Sequence, residues 1–254
     1  MIIPMYKNVG ETPLEALFRL RKARPELEKE TLSYAGRLDP MAEGVLLVLV
    51  GEENKNRENY LNLDKEYEAT AVFGIETDSY DLLGKISAFS EEYNKIPDQD
   101  INNTLKKFVG TFQQPYPPFS SKPVKGKPLF QWAREGKLNE IEIPVRNVEI
   151  FSLELLKTYE ISADTLLDTV QHRVTMVSGD FRQPQIIDSW QEKLLKSDRS
   201  FQAVTFRVKS STGMYVRGLI HELGKNLKIG AVTVELKRTK LGHFQIENIA
   251  QLSP

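Results

Sequence analysis

Apolar and polar residues follow two different periods along this chain. Between residues 65 and 74 they alternate one by one, so that four apolar side chains face the same way: Tyr67, Ala69, Ala71 and Phe73. A period of two predicts a β-strand with one buried or functional face. A period of three to four residues, which is typical of amphipathic helices, recurs in several other segments.

The first of these helices is predicted to begin after Thr12. Threonine can cap a helix, Pro13 suits the first helical position, and Glu15 completes a capping box. Three large apolar residues then share one face: Leu14, Leu17 and Phe18. Pro25 marks the expected end of the helix.

Further helices are predicted over residues 100–109, 162–176, 183–195 and 214–227, with a turn near Gly179. Strands are predicted over residues 145–155, 205–209 and 231–236, whereas Pro115, Pro117 and Pro118 predict a break in regular structure. Because helices and strands are interspersed without a regular strand–helix–strand order, the pattern favours an α+β fold with a mixed sheet over a doubly wound one.

The 254 residues, 40% of them hydrophobic, are enough to bury a core in one large or two small domains. The chain has no cysteine, which excludes disulfides, thiolate metal sites and cysteine nucleophiles. The longest apolar run, Val45 to Val50, is short, and the N-terminus lacks the apolar core of a signal peptide. We therefore expect a soluble, cytoplasmic protein.

Charge is distributed unevenly, although the formal net charge is only −1. Residues 205–243 carry eight Lys or Arg against two Glu, and residues 119–137 carry five basic residues against one acidic. Residues 52–100 carry five basic residues against thirteen acidic ones. Two basic segments can form one face that attracts a nucleic acid, and a solvated surface without a partner is the alternative interpretation.

The segment from Gly36 to Leu46 reads Gly-Arg-Leu-Asp-Pro-Met-Ala-Glu-Gly-Val-Leu. Its glycines permit close backbone approach or positive φ, and Pro40 pushes Asp39 out of helical geometry. A carboxylate fixed on a rigid loop before an apolar strand is suited to covalent or acid–base chemistry. A structural role is the alternative, because Asp-Pro also commonly caps helices.

Other motifs accompany this segment in a fixed order. They lie at residues 6–12, 65–84, 114–134, 212–224 and 230–244, and include Lys65-Glu66-Tyr67, Pro117-Pro118, Tyr215-Val216-Arg217 and Gly242-His243-Phe244. Together they resemble the TruB-type pseudouridine synthases, and the resemblance covers most of the chain. It implies the fold of that family, an α+β structure with a mixed, largely antiparallel sheet and flanking helices.

The resemblance also implies an activity, the isomerisation of uridine to pseudouridine in RNA, with uridine 55 in the T arm of tRNA as the expected target. The uridine is flipped out of the RNA, its C1′–N1 bond is broken, and the base is rotated and rejoined through C5. By the resemblance, Asp39 is the catalytic carboxylate, Arg217 pairs with it, and Tyr67 stacks on the flipped base. A core aromatic and a surface cation are the ordinary alternatives for Tyr67 and Arg217.

Further residues are expected to bind the substrate or support the site. Tyr215 matches a family position near the pocket, Lys7 either supports the site or contacts phosphate, and Tyr34, Gly36 and Arg37 belong to the catalytic loop or its approach. The basic residues expected to contact RNA are Lys125, Lys127, Lys237, Arg238 and Lys240. The three histidines, His172, His221 and His243, are scattered singly, so no metal site is expected. No cofactor is expected either.

The chain departs from the family pattern in several places. Tyr34 stands where many bacterial relatives carry a histidine, and Asn8 replaces a proline. Residues from about 158 to 200 are expected to be an insertion within a single catalytic domain that spans residues 1–254. Because the chain stops just after the closing motif, no C-terminal PUA domain is expected.

Two other functions stay open at this point: an RNA-binding fold chaperone without turnover, and a synthase acting on another RNA. The joint presence of Asp39, Tyr67 and Arg217 favours an enzyme, since a chaperone needs none of them. The expected partner is tRNA. Neither a guide RNA nor DNA nor a membrane is expected, and the chain is predicted to be a monomer.

Overall fold

A computed structural model describes residues 1–91 and 94–249 of the chain. Its strands are β1 (Ile2–Lys7), β2 (Leu32–Ala35), β3 (Ala42–Val50), β4 (Lys65–Phe73), β5 (Ile75–Thr77), β6 (Ile86–Phe89), β7 (Gly110–Pro115), β8 (Pro123–Val124), β9 (Lys127–Pro128), β10 (Val145–Ser162), β11 (Ser200–Ser210), β12 (Ala231–Leu241) and β13 (Phe244–Gln245). Its helices are α1 (Pro13–Ala23), α2 (Arg57–Leu61), α3 (Asp98–Lys106), α4 (Leu129–Arg134), α5 (Ala163–Thr175), α6 (Gln183–Leu194) and α7 (Val216–Asn226). In the described ranges no helix combines the length and the hydropathy that crossing a membrane requires.

A central sheet organises the described part of the molecule. Seven strands follow one another in the order β1, β3, β12, β4, β11, β10 and β7, with β2 added to β3 and β13 added to β12. The β3–β12 pair is parallel, and the other neighbours in this sheet are antiparallel. The predicted α+β class with a mixed, largely antiparallel sheet is therefore confirmed.

Strand β4 lies in the middle of the sheet and has buried side chains on both faces. One face carries the four predicted apolar residues, which pack against α3 and α7 in a single core cluster. On the other face Val72 joins a second cluster, built mainly from α5 and α6 around the fully buried Trp190. The alternation thus predicted the strand, but the second covered face depends on helices more than 90 residues further along the chain.

The predicted elements are present with different bounds. Helix α1 begins with the expected capping box of Thr12 and Glu15. The face that carries Leu14 and Phe18 is exposed, however, and the helix buries Ala16, Leu17 and Leu20 instead. The prolines do not prevent a strand: β7 ends with Pro115 at the edge of the sheet, where the missing N–H is tolerated.

Residues 158–200 complete a ladder and form a helical hairpin. Strand β10 runs on to Ser162, which pairs with Ser200 at the start of β11. Between them, α5 and α6 form what we call the α5–α6 hairpin, and residues 176–182 form its tip. The hairpin is part of the second core cluster and covers one face of the central sheet.

Candidate active site

The loop that carries Asp39 joins β2 to β3 and is held in place by a buried arginine. Arg238 on β12 is fully buried, and its guanidinium donates hydrogen bonds to the carbonyl oxygens of Gly36, at 2.9 Å, and Val45, at 2.8 Å. These contacts lie on either side of Asp39 and fix both ends of the loop. The prediction that Arg238 contacts RNA is wrong, because its guanidinium has no exposed surface and binds the loop that carries Asp39 instead.

The two glycines of the loop motif are required by this close packing. Gly36 has a φ of +73°, and a Cβ there would lie 3.3 Å from the Arg238 guanidinium. Gly44 has a φ of +107°, and a Cβ would lie 2.3 Å from the carbonyl oxygen of Arg238. The glycines therefore allow β3 and the loop to approach β12 closely, as the sequence predicted in general terms.

Lys7 supports the same loop from β1. Its side chain is fully buried and donates hydrogen bonds to the carbonyl oxygens of Ala42, at 2.6 Å, and Asn8, at 2.9 Å. Burial lowers the pKa of Lys7 to about 7, while the carboxylates of Glu11 and Asp39 oppose that shift. Of the two roles expected for Lys7, the geometry agrees with support of the site, and burial leaves no surface for a phosphate.

Asp39 is bound to Arg217 across the site. The Arg217 Nε donates to Asp39 Oδ2 at 2.8 Å. The side chain of Arg217 is only 3% exposed, whereas that of Asp39 is 35% exposed. A molecule in the cleft can therefore reach the carboxylate but not the guanidinium behind it.

Both terminal nitrogens of Arg217 also donate hydrogen bonds. Its Nη1 donates to the carbonyl oxygen of Ser79 at 2.6 Å, and its Nη2 donates to that of Phe119 at 2.9 Å. Burial by itself lowers the pKa of Arg217, but the carboxylates of Asp39 and Asp81 raise it above its ordinary value. Arg217 is thus a fixed cation, and its direction is set by two backbone carbonyls.

Asp81 is a second carboxylate beside Arg217, and its Oδ2 lies 3.9 Å from the Arg217 Nε. Its Oδ1 accepts hydrogen bonds from the Ser79 hydroxyl at 2.5 Å and from the Leu83 N–H at 3.0 Å. Burial raises the pKa of Asp81 to about 6, although Arg217 acts in the opposite direction. The sequence placed Asp81 in a motif but gave it no role, because its closeness to Arg217 arises only in the folded chain.

Two concave sites meet at Asp39. The first, which we call the Tyr67 cavity, has a volume of about 350 Å³ and is lined by Tyr67, Asp39, Lys65, Arg146 and Tyr215, among others. The second, which we call the Phe181 groove, has a volume of about 370 Å³ and includes Tyr34, Arg217, Phe130 and Phe181. Three residues of the Asp39 loop and two of the segment that follows β7 line both sites: Arg37, Leu38, Asp39, Phe119 and Ser121.

Tyr67 lies on β4 at the wall of the Tyr67 cavity and is 6% exposed. Its hydroxyl interacts with the guanidinium of Arg238, and its ring belongs to the core cluster shared with α7. Tyr215 lines the same cavity and packs edge-on against Tyr116, with ring centroids 5.7 Å apart. Burial raises the pKa of Tyr215, and the charge of Asp39 adds to that effect.

The structure brings together most of the predicted site residues. Gly36, Arg37, Asp39, Tyr67 and Tyr215 line the Tyr67 cavity, and Tyr34, Arg37, Asp39 and Arg217 line the Phe181 groove. All five proposed basic contacts lie outside both sites: Arg238 is buried, and the four lysines that line neither site are Lys125, Lys127, Lys237 and Lys240. Lys127 is paired with Glu135 at 2.7 Å and lies over the Trp132 ring. These four residues stay predictions as RNA contacts.

Sequence reasoning missed several residues that line the Tyr67 cavity. Lys122 belongs to the basic segment noted above, and its Nζ lies 5.3 Å from the centre of the Tyr116 ring. Arg146 carried no signal of its own, yet it lies where a side chain on Gly213 would be, 1.9 Å from the position of a Cβ. Lys65 was read as part of a motif and not as a wall of the site. Burial lowers its pKa to about 8.

Comparison with known proteins gives a consistent picture. Residues 24–181 match the family model described as TruB family pseudouridylate synthase, N terminal domain. The chain is 30% identical over 251 residues to a tRNA pseudouridine synthase B of Lactobacillus delbrueckii subsp. bulgaricus, covering 99% of this chain and 71% of the relative. It is 33% identical over 233 residues to a tRNA pseudouridine synthase B of Francisella philomiragia, covering 92% of this chain and 63% of the relative.

A solved structure shares the fold. One chain of an H/ACA ribonucleoprotein bound to a substrate RNA containing 2′-deoxyuridine superimposes with a TM-score of 0.59 at 21% sequence identity. The superposition covers 98% of this chain and 50% of that one. At this identity the likeness concerns the fold alone.

Proposed function

The chain belongs to the TruB family of pseudouridylate synthases, and from that premise we propose that it converts uridine 55 in the T arm of tRNA to pseudouridine. The family makes it an enzyme of the isomerase class that acts on uridine in RNA. Support for tRNA as the substrate comes from the names of the relatives in Lactobacillus and Francisella. The proposal includes position 55 in the T arm, a monomeric state and a cytoplasmic location.

The observation that carries the proposal is the bond of 2.8 Å between Asp39 and Arg217 where the two concave sites meet. Arg217 binds Oδ2 of Asp39, so Oδ1 can face the substrate. In the proposed reaction this carboxylate either attacks C1′ of the flipped uridine or assists removal of the proton at C2′. If Asp39 attacks C1′, an ester forms as the C1′–N1 bond breaks, and that ester breaks when C5 of the rotated base bonds to C1′. If a proton is removed from C2′, it is returned to C2′ as the C1′–C5 bond forms. On either route C5 then releases a proton and N1 gains one.

Arg217 keeps Asp39 oriented while this happens. An arginine stays protonated throughout, so its charge-assisted hydrogen bond to the carboxylate of Asp39 persists. Because Arg217 is also bound to Ser79 and Phe119, it cannot turn away when the substrate enters. The pair therefore supplies a preorganised anion at the point where positive charge or a covalent bond develops at C1′.

Tyr67 is proposed to stack on the flipped base. Its side chain lines the same cavity as Asp39 and is fixed by the sheet and by Arg238. The volume of the cavity lies within the range of ordinary small-molecule sites, which suits a single extruded nucleoside. Tyr34 lines the neighbouring groove and is proposed to occupy space near the RNA stack from which the uridine leaves.

The experiment is to incubate the chain with unmodified tRNA transcripts and map pseudouridine at single-nucleotide resolution. We expect modification at uridine 55 and none when that uridine is replaced by cytidine. Asp168→Asn serves as the matched control for Asp39→Asn, because Asp168 is exposed on α5. Modification at other positions would change the proposed target, and no modification of any tRNA would reject the proposed substrate.

A further inference from the structure

The Phe181 groove shares Asp39 with the Tyr67 cavity but is not lined by Tyr67. Four aromatic side chains line it from four separate segments: Tyr34, Phe119, Phe130 and Phe181. Each of the four is partly exposed. The groove is therefore an aromatic site that adjoins Asp39 and is distinct from the cavity proposed to hold the target base.

Arginine residues line the groove together with the aromatic ones. Arg37, Arg134, Arg182 and Arg217 line the groove against the carboxylates of Asp39, Asp81 and Asp180. Arg217 is bound to Asp39 and Arg134 to Asp180. Among the ion pairs of the described residues none involves Arg37, which is exposed and lines both concave sites. A cation is thus available where the two sites join.

The hairpin tip forms one wall of the groove and is bound to the segments that hold Arg217. Arg182 binds Asp78 through two hydrogen bonds, at 2.7 Å and 3.2 Å, and lies 4.2 Å from the centre of the Phe119 ring. It does so with a φ of +64°, a conformation that costs a non-glycine residue energy unless contacts hold it there. Asp78 directly precedes Ser79, and Ser79 and Phe119 supply the two carbonyl groups that bind Arg217. The tip is therefore fixed relative to the Asp39–Arg217 pair.

A second contact ties the tip to the catalytic loop. A side chain on Gly10 would meet Met176 at 2.7 Å, which shows that the start of the tip packs directly on the turn after β1. The N–H of Gly10 donates to the carbonyl oxygen of Pro40 at 2.8 Å. Phe181 is therefore placed by contacts on both sides of Asp39, as a preorganised binding surface would be.

We propose that the Phe181 groove binds a nucleotide adjacent to the target uridine in the same RNA strand. Its base stacks on Phe181 and Phe130, and its phosphate lies at Arg37, between this nucleotide and the uridine in the Tyr67 cavity. The continuity of the two sites at Asp39 sets the occupant, since neighbouring nucleotides are joined by a single phosphate. This proposal rests on the proposed function and assigns to the α5–α6 hairpin a role in RNA recognition.

The chemistry of the groove matches an unstacked nucleotide. Single-stranded nucleic acid is bound by aromatic faces that stack on bases together with cations that follow the backbone. The groove supplies both within one site, and it adjoins a cavity proposed to receive an extruded base. A stacked base contributes roughly 1–3 kcal/mol, which corresponds to about five- to hundredfold in affinity.

The test is a coupling measurement between protein and RNA. Asp39→Asn protein is used so that binding is measured without turnover. T-arm stem-loops are prepared intact, with an abasic nucleotide immediately 5′ of the target uridine, and with one immediately 3′. Dissociation constants are compared for the Asp39→Asn protein, here the parent, and for the same protein with Phe181→Ala or Phe181→Leu. The leucine keeps the apolar contact with the second core cluster but removes the aromatic face.

Phe89→Ala is the matched control. Phe89 is also partly buried against the second core cluster, but it lies on β6 and does not line the groove. Loss of packing by itself should therefore affect Phe89→Ala as much as Phe181→Ala. The control separates a damaged core from a damaged binding surface.

We expect one abasic RNA to bind the parent about five- to hundredfold more weakly. Both Phe181 variants should bind intact RNA more weakly and show no further loss with that abasic RNA, whereas any loss in Phe89→Ala should be the same with all three RNAs. Losses that multiply in the Phe181 variants, or the absence of any loss, would overturn the proposal. Coupling without pseudouridine formation by the unsubstituted chain would reject the proposed function but not the groove.

Discussion

Arg217 lies between two carboxylates that differ in their surroundings. Asp39, at 2.8 Å, is partly exposed in the cleft, whereas Asp81, at 3.9 Å, is buried behind it. Because burial raises the pKa of Asp81 to about 6, this group changes charge near neutral pH. Its titration therefore changes the number of anions that share Arg217.

The stability of the chain is expected to report this titration. An aspartate in the unfolded chain ionises near pH 3.8, so between that value and about pH 6 the folded state binds the additional proton. The stabilising contribution of Asp81 is thus present at low pH and is lost as pH rises through about 6. Asp81→Asn cannot titrate, so its stability relative to the parent should rise by up to about 3 kcal/mol between pH 4 and pH 7.

Urea unfolding at several pH values measures that difference. Asp168→Asn is the control, since Asp168 is exposed on α5 and is not part of the site. Stability curves of parent and Asp81→Asn that run parallel from pH 4 to pH 7 would show that Asp81 is not perturbed as described.

Tyr67 can be tested by two substitutions that separate its ring from its hydroxyl. Tyr67→Phe keeps the ring that lines the cavity, so it should retain most of the RNA affinity and mainly lower the turnover rate. Tyr67→Leu removes the aromatic face and should lower affinity as well, by about five- to hundredfold if the ring stacks on a base. Equal affinities of the Phe and Leu variants, measured by filter binding, would argue against stacking.

At the scale of elements, the site depends on how closely β3 approaches β12. The Cβ of an alanine at position 44 would lie 2.3 Å from a backbone oxygen of Arg238, at a φ of +107°. We expect Gly44→Ala to destabilise the chain by about 3 kcal/mol or more, because the parallel β3–β12 pair must separate. Gly126→Ala is the control: it also has a positive φ, of +78°, but nothing lies within 4 Å.

Gly126→Ala should lose only about 1–2 kcal/mol, the cost of the left-handed conformation alone. Denaturant unfolding of both variants gives the comparison. Similar losses for the two glycines would mean that conformational freedom, rather than contact between β3 and β12, explains the glycine in the motif.

The elements also show what the sequence could predict. The capping box of α1 and the alternation of β4 are local patterns, and both elements are present in the structure. The buried face of α1 could not be predicted in the same way. Leu17 shares one apolar face with Leu14 and Phe18, which are exposed, and another with Ala16 and Leu20, which are buried. Only the position of β1 and β3 decides which set meets the core.

Only some of the site residues could likewise be identified from the sequence. Asp39, Tyr67 and Arg217 were identified by resemblance, and the structure brings Asp39 and Arg217 into contact although they are 178 residues apart. Asp81 and the burial of Arg238 were not predictable from local sequence, since both depend on long-range packing. Arg238 lies in a basic segment, but a basic segment does not reveal which of its members point inward.

For the whole molecule, the distribution of charge predicts how RNA binding responds to salt. The net charge of −1 excludes a global attraction, so binding should depend on local basic residues. Alanine at Lys125, Lys127, Lys237 or Lys240 should each lower the slope of log affinity against log salt by up to about one unit. Lys55→Ala is the control, because Lys55 lies in the acidic segment and is paired with Glu52.

A filter-binding salt titration with tRNA measures these slopes. The predicted result is a lower slope in the lysine variants without a change in the uridine that is modified, and an unchanged slope for Lys55→Ala. If all four variants keep the parental slope, these lysines form a solvated surface and RNA is bound elsewhere. Arg238 is not substituted, because its removal should destabilise the loop that carries Asp39.

Asp39 is proposed to perform the chemistry, and single-turnover pseudouridine formation by Asp39→Asn tests this role. The substitution keeps the size of the side chain and removes its charge. The variant is incubated in excess over tRNA under conditions in which filter binding shows the tRNA to be bound. We expect RNA affinity within a few-fold of the parent and no detectable pseudouridine. Pseudouridine formed by Asp39→Asn at a rate near that of the parent would contradict the assignment of Asp39 as the catalytic residue.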